Sequence, residues 1–116
     1  MGYISVAEVA DNIPFEIKRV YWTYFTPNHV ERGNHAHIRL HQVILSVAGI
    51  INFELENTKG ERFEFVLDEP NKGLLVPPGY WRCMRFSHSA VLLCMASELY
   101  DETDYIRDYE TFKQLT

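Results

Sequence analysis

The sequence predicts an all-β domain, a small β-barrel of short strands with one short helix at its C-terminal end. Three observations carry that expectation. Seven Phe, seven Tyr and two Trp occur among 116 residues, and aromatic and β-branched side chains suit the pleated, half-buried surface of a strand. Apolar runs are short and broken at close intervals by turn chemistry, as in sandwiches and barrels. Helical spacing is confined to DETDYIRDYETFKQL, where Ile106, Tyr109 and Phe112 fall on one face.

Taken in order, Ile17 to Phe25 (IKRVYWTYF) is β-branched and aromatic and reads as the first strand. PNHVERGN follows as a polar loop, and His35 to Val47 reads as a strand with a bend. Ala48-Gly49 marks a turn before the strand Ile50 to Glu56. Asn57-Thr58-Lys59-Gly60 is a hairpin signal leading into Arg62 to Leu67, which alternates Phe63, Phe65 and Leu67. DEPNKG is a loop, Leu74 to Val76 a short strand ended by Pro77-Pro78-Gly79, and Arg82 to Phe86 and Ala90 to Ser97 complete the series.

The length fits one domain, residues 1–116, and the chain has no repeat or low-complexity linker. A net charge of −5 argues against non-specific binding to nucleic acid or anionic lipid, while leaving room for a local arginine pocket. Cys83 and Cys94 lie in apolar runs and read as buried, reduced thiols, which fits the cytoplasm. No basic-then-apolar leader opens the chain and no apolar run approaches the roughly 20 residues of a membrane span. A soluble, cytoplasmic protein without nucleic-acid or membrane partners is expected.

The chemistry concentrates in GNHAHIRLHQVILSVAG, Gly33 to Gly49. His35 and His37 are two apart, so on a strand both leave the same face. This spacing resembles the first cupin motif, with Gln42 where that motif places a glutamate and Gly49 at its glycine. Gly73 and Pro77-Pro78-Gly79 resemble the second motif, and Arg82 stands where that motif places a histidine. Two imidazoles with a carboxylate would suit divalent iron, manganese or zinc. Neutral Gln42 removes the charge compensation, and the permanent cation Arg82 repels a metal, even with His41 as a substitute ligand. The site is expected to be metal-free and to need no cofactor. One imidazole can then act as general base while its partner orients it or relays the proton. Arg82 can stabilise the negative oxygen of an enediolate. The set suits proton abstraction beside a carbonyl.

RGNHAH (Arg32–His37), LHQ (Leu40–Gln42), PNKGLLVPPGYWR (Pro70–Arg82) and ASELYDETDYIRDYETF (Ala96–Phe112) resemble the dTDP-4-keto-6-deoxyglucose 3,4-ketoisomerases, the cupins of the WxcM-like group. IPFEIKRVYW (Ile13–Trp22) is similar to their first core strand. The resemblance implies a cupin jelly-roll β-barrel and a homodimer that exchanges N-terminal strands. It also implies a cofactor-independent shift of the keto group of a dTDP-linked 4-keto-6-deoxy sugar from C4 to C3. By the same resemblance His37 is the main base and His35 assists it. Arg32, Tyr21, Arg82, Gln42 and Asn34 are then substrate-binding residues, with Arg32 on the pyrophosphate. Relatives of this kind begin with a further stretch before the equivalent of Gly2, so a short form or a piece of a longer enzyme is expected. Three other readings compete: a metal-dependent cupin, a sugar-nucleotide 3,5-epimerase and a non-catalytic nucleotide-sugar sensor.

Overall fold

The computed structural model describes residues 1–28 and 30–115. In chain order the strands are β1 (Arg19–Thr23), β2 (Glu31–His37), β3 (Gln42–Ala48), β4 (Ile51–Glu56), β5 (Arg62–Leu67), β6 (Leu74–Val76), β7 (Trp81–Phe86), β8 (Val91–Ala96) and β9 (Tyr105–Ile106). A 3-10 turn (Glu102–Asp104) precedes β9, and the helix α1 (Tyr109–Lys113) follows it. The strands form a four-stranded sheet in the order β1-β8-β3-β6 and a five-stranded sheet in the order β5-β4-β7-β2-β9. Each ladder is antiparallel, and the two sheets pack as a jelly-roll sandwich.

Strand alternation decides what lies between the sheets. From β7, Met84 and Phe86 point inward to meet Ile51, Phe53 and Leu55 of β4 and Ile44, Leu92, Cys94 and Ala96 of the other sheet. Burying a phenylalanine such as Phe53 or Phe86 is worth roughly 1.5–3 kcal/mol relative to leaving it exposed. Two smaller clusters cover the outer faces. Ile13, Phe15 and Ile17 cross the four-stranded sheet against Val43 and Met95. On the other side Ile106 and Phe112 cover Ala36, with Trp81 and Tyr109 at the margin.

Five expected strands lie within a residue or so of their predicted bounds, and the Asn57 hairpin forms, with the Asn57 carboxamide oxygen accepting from Lys59 and Glu61 N–H. Four expectations need correction. The strand expected over 35–47 is two strands, because residues 38–40 give their N–H groups to Asp104 instead of to a ladder. The polar loop is partly strand: β2 begins at Glu31, held by Arg85 on β7; His29 lies outside the described residues. The long terminal helix is broken. Asp101 caps the 3-10 turn, residues 105–106 pair with β2, and Asp108 caps a helix of only five residues. Ile106 and Phe112 still reach one apolar cluster, which is why their spacing looked helical. Cys94 is buried as expected, but Cys83 is only half-buried, since its inward-facing neighbours Arg82 and Met84 leave it on the outer face.

Candidate active site

The site sits on the inner face of β2, and a β-bulge puts it there. Before the bulge Arg32 opposes Met84, after it His35 opposes Arg82, and the register shifts between them. Without that extra residue Asn34 and Ala36 would face inward, and both histidines would point away. Gly33 and Asn34 form the bulge at φ 94° and 58°. A Cβ on Gly33 would lie 2.9 Å from the Arg82 carbonyl oxygen, so only glycine allows β2 to approach β7 here. The Pro77-Pro78-Gly79 turn completes the frame, Gly79 N–H donating to the His37 carbonyl at 2.9 Å.

His35 and His37 meet edge to face, ring centroids 4.9 Å apart, and Tyr105 covers both at 5.0 and 4.3 Å. His37 is 1% exposed, and neither of its ring nitrogens has a hydrogen-bond partner among the described residues. Burial, then the nearby Arg82 guanidinium, pull the His37 pKa down to about 2 and the His35 pKa to about 4. Both rings are therefore neutral near pH 7, the state a base requires.

Arg82 is also 1% exposed and has no carboxylate partner among the described residues. One guanidinium nitrogen donates to Gln42 Oε1, another reaches the Tyr80 carbonyl at 3.5 Å, and Nε is unpartnered. Burial lowers its pKa to about 10, so it remains a cation at neutral pH. Gln42 Nε2 in turn donates to the Tyr21 hydroxyl at 3.0 Å and to Cys94 Sγ at 3.2 Å. A glutamate could not make those two donations, which gives the amide a physical reason. Burial raises the pKa of both Tyr21 and Cys94, leaving phenol and thiol neutral.

These residues do not fit a cupin metal. The fourth corner holds a cation bonded to the very side chain that would have to be the anionic ligand. What the arrangement can do is take a proton with a neutral imidazole and hold negative charge on an oxygen with Arg82.

Of the residues singled out from sequence, His35, His37, Arg82, Gln42 and Tyr21 come together. Arg32 shares the inner-facing register with Met84 but is exposed, and no described carboxylate pairs with it. Asn34 is exposed at the bulge, where its left-handed backbone already accounts for the residue type. Three more residues were not found from sequence. Arg19 shares a strand face with Tyr21, its guanidinium 5.2 Å from that ring, and period two along IKRVY could have flagged it. Tyr105 and Asp104 were hidden by the helical reading of the C-terminal stretch.

The jelly roll and its inner face of two histidines, an arginine and an amide define a cupin-type domain built for proton transfer beside an anion. The chain belongs to the family described as FdtA: WxcM-like, C-terminal, which it matches over residues 1–116. It is 42% identical over 114 residues to a TDP-4-oxo-6-deoxy-alpha-D-glucose-3,4-oxoisomerase of Aneurinibacillus thermoaerophilus, covering 97% of this chain and 81% of that relative. It is similar to the solved structure of QdtA, a sugar 3,4-ketoisomerase from Thermoanaerobacterium thermosaccharolyticum in complex with TDP. The TM-score is 0.93 at 40% identity, covering 97% of this chain and 82% of that one. A histidine-to-asparagine mutant of that enzyme, in complex with TDP-4-keto-6-deoxyglucose, matches with TM-score 0.92 at 39% identity, covering 97% and 81%.

Proposed function

We propose that this chain is a cofactor-independent sugar-nucleotide isomerase that converts dTDP-4-keto-6-deoxyglucose to a dTDP-3-keto-6-deoxyhexose, in the biosynthesis of an unusual deoxysugar. The observation that carries the reading is a neutral, buried His37 with an open Nε2, beside a buried arginine that lacks an anion. His37 Nε2 takes the proton from C3, and the electron pair forms the C3–C4 double bond as the C4 carbonyl becomes an enolate oxygen. Arg82 holds that charge in a setting where water does not screen it. The proton of the C3 hydroxyl passes to the C4 oxygen, C4 takes up a proton, and the carbonyl re-forms at C3. His35 orients or relays, Tyr21 and Gln42 place Arg82 and the sugar, and Arg32 with Asn34 contacts the nucleotide portion.

The chain is proposed to act as a single cytoplasmic domain and as a homodimer. β1 is an edge strand with Val20 and Trp22 exposed. A concavity of about 820 Å³ lies on the outer face of the same sheet, between residues 5–14 and Val43, Leu75 and Met95, away from the histidines. An unpaired apolar edge of this kind favours cover by a second copy. No described helix is long and apolar enough to cross a membrane.

The test is incubation with dTDP-4-keto-6-deoxyglucose in heavy water, followed by NMR of the product. A carbonyl moved to C3 with deuterium at C4 is the expected result. Deuterium at C3 and C5 with the carbonyl still at C4 would make the protein an epimerase. Return of unlabelled substrate would make it a binding protein.

A further inference from the structure

Tyr105 carries a hydroxyl that the proposed reaction has not used. It stands opposite His37 in the β2–β9 ladder, so the two side chains leave the same face. Its ring centroid lies 4.3 Å from that of His37, 5.0 Å from that of His35 and 5.7 Å from that of Tyr100. The Arg107 guanidinium carbon sits 4.4 Å from the same centroid, and Glu102 holds that arginine by contacts of 2.6 and 3.0 Å. Neighbours on β2 and the C-terminal stretch therefore fix the ring, while its hydroxyl is left over. Tyr100 and Tyr109 donate theirs to Glu102 and Glu56, and that of Tyr21 accepts from Gln42. The Tyr105 hydroxyl has no hydrogen-bond partner among the described residues, and the phenol lies within electrostatic reach of Arg82 and Tyr21.

We propose that Tyr105 is a catalytic residue whose hydroxyl bridges the C3 and C4 oxygens of the bound sugar and moves the hydroxyl proton between them. This deepens the ketoisomerase reading and rests on it, and it holds for either imidazole as the base. Removing the C3 proton leaves a C3–C4 double bond, a hydroxyl on C3 and an anionic oxygen on C4. The carbonyl re-forms at C3 only after that hydroxyl proton has passed to the C4 oxygen. The two oxygens are neighbours, yet direct O–H···O contact between them closes a five-membered ring and bends the hydrogen bond to an angle at which it is weak. A phenol set across both oxygens avoids the bend. It gives its proton to the C4 oxygen, takes the proton of the C3 hydroxyl, and is a phenol again once the charge has moved to the C3 oxygen. No other reactant is consumed, and Arg82 holds the charge on either oxygen. Tyr21 suits the task less, because its oxygen already accepts from Gln42 Nε2 and burial raises its pKa.

The experiment follows two rates on dTDP-4-keto-6-deoxyglucose in heavy water, for wild type, Tyr105→Phe and Tyr21→Phe. One is deuterium entering C3 of the recovered substrate, and the other is formation of the 3-keto product. Phenylalanine at 105 keeps the ring contacts with both imidazoles and Arg107 and removes a hydroxyl that has no protein partner, so the melting temperature and TDP affinity should match wild type. Tyr105→Phe should keep C3 exchange within a few-fold of wild type and lose product formation by about 10²–10⁴-fold, the range for a positioned proton-transfer group. Tyr21→Phe should lower both rates together, since Gln42 and Arg82 shift with it. Product formed by Tyr105→Phe at the wild-type rate overturns the proposal, because water then suffices as the carrier. Equal loss of exchange and product overturns it too, because Tyr105 then serves the base and not the oxygens. Retained exchange with lost product in Tyr21→Phe alone gives the role to Tyr21. A wild-type protein that neither exchanges C3 nor forms product sinks the ketoisomerase reading itself.

Discussion

Replacing Arg82 with methionine should abolish turnover and leave the fold as stable as before, or more so. The side chain buries a cation with an amide oxygen as its near acceptor and one backbone carbonyl at the limit of hydrogen bonding. Lowering its pKa to about 10 from the ordinary guanidinium range corresponds to about 3 kcal/mol of destabilisation of the charged form. Because the folded value lies below the unfolded one, the unfolded chain holds the proton more tightly. The penalty is complete below about pH 10 and is released only as pH climbs towards the ordinary guanidinium value. Unfolding at pH 7 to 8 therefore registers all of it. Methionine fills similar space without charge but leaves Gln42 Oε1 without its donor, a cost of about 1–3 kcal/mol. The net expectation runs from neutral to about 2 kcal/mol of added stability, as found when buried charges are replaced by apolar side chains. Urea unfolding followed by tryptophan fluorescence at fixed protein concentration measures it. Destabilisation by more than about 2 kcal/mol, or retained turnover, would refute the picture of an arginine kept for chemistry at the expense of stability.

Four further outcomes are expected. His37→Asn should lose C3 deuterium exchange by about 10²–10⁴-fold in kcat with a modest change in KM, while TDP binding by calorimetry stays near wild type. Arg32→Ala should weaken TDP binding by about 1.5–3 kcal/mol, and equal affinity would remove Arg32 from the phosphate site. Gly33→Ala must seat a Cβ 2.9 Å from a backbone oxygen at φ 94°. It should lower the melting temperature and reduce kcat together, because relief requires β2 to move and the histidines to turn with it. Finally, both site histidines titrate below the ordinary imidazole value of 6.5. The unfolded chain therefore binds protons that the folded chain refuses, so stability present above pH 6.5 is lost as pH falls towards about 4. The urea midpoint should drop between pH 6.5 and 5 in wild type and drop less in His35→Gln; a wild-type midpoint that is flat there would contradict the burial of both rings.

The pattern of short aromatic strands and tight turns was sufficient for an all-β domain, since period two and turn chemistry are local properties. So was the shared face of His35 and His37, which follows from their spacing. RGNHAH and the C-terminal stretch carried the family. The partnerships needed the fold. Arg82 and Gln42 lie 40 positions apart and meet only because their sheets face each other. The C-terminal stretch has helical spacing, yet its middle is drawn into β9 by open N–H and C=O groups on β2, a tertiary demand that outweighs local propensity. That pairing brings Asp104 to His37 and Tyr105 over both rings. Which histidines face inward at all was decided by one extra residue at Gly33-Asn34. A bulge reverses every side chain beyond it, and its position depends on how closely the neighbouring strand can approach, which no local pattern records.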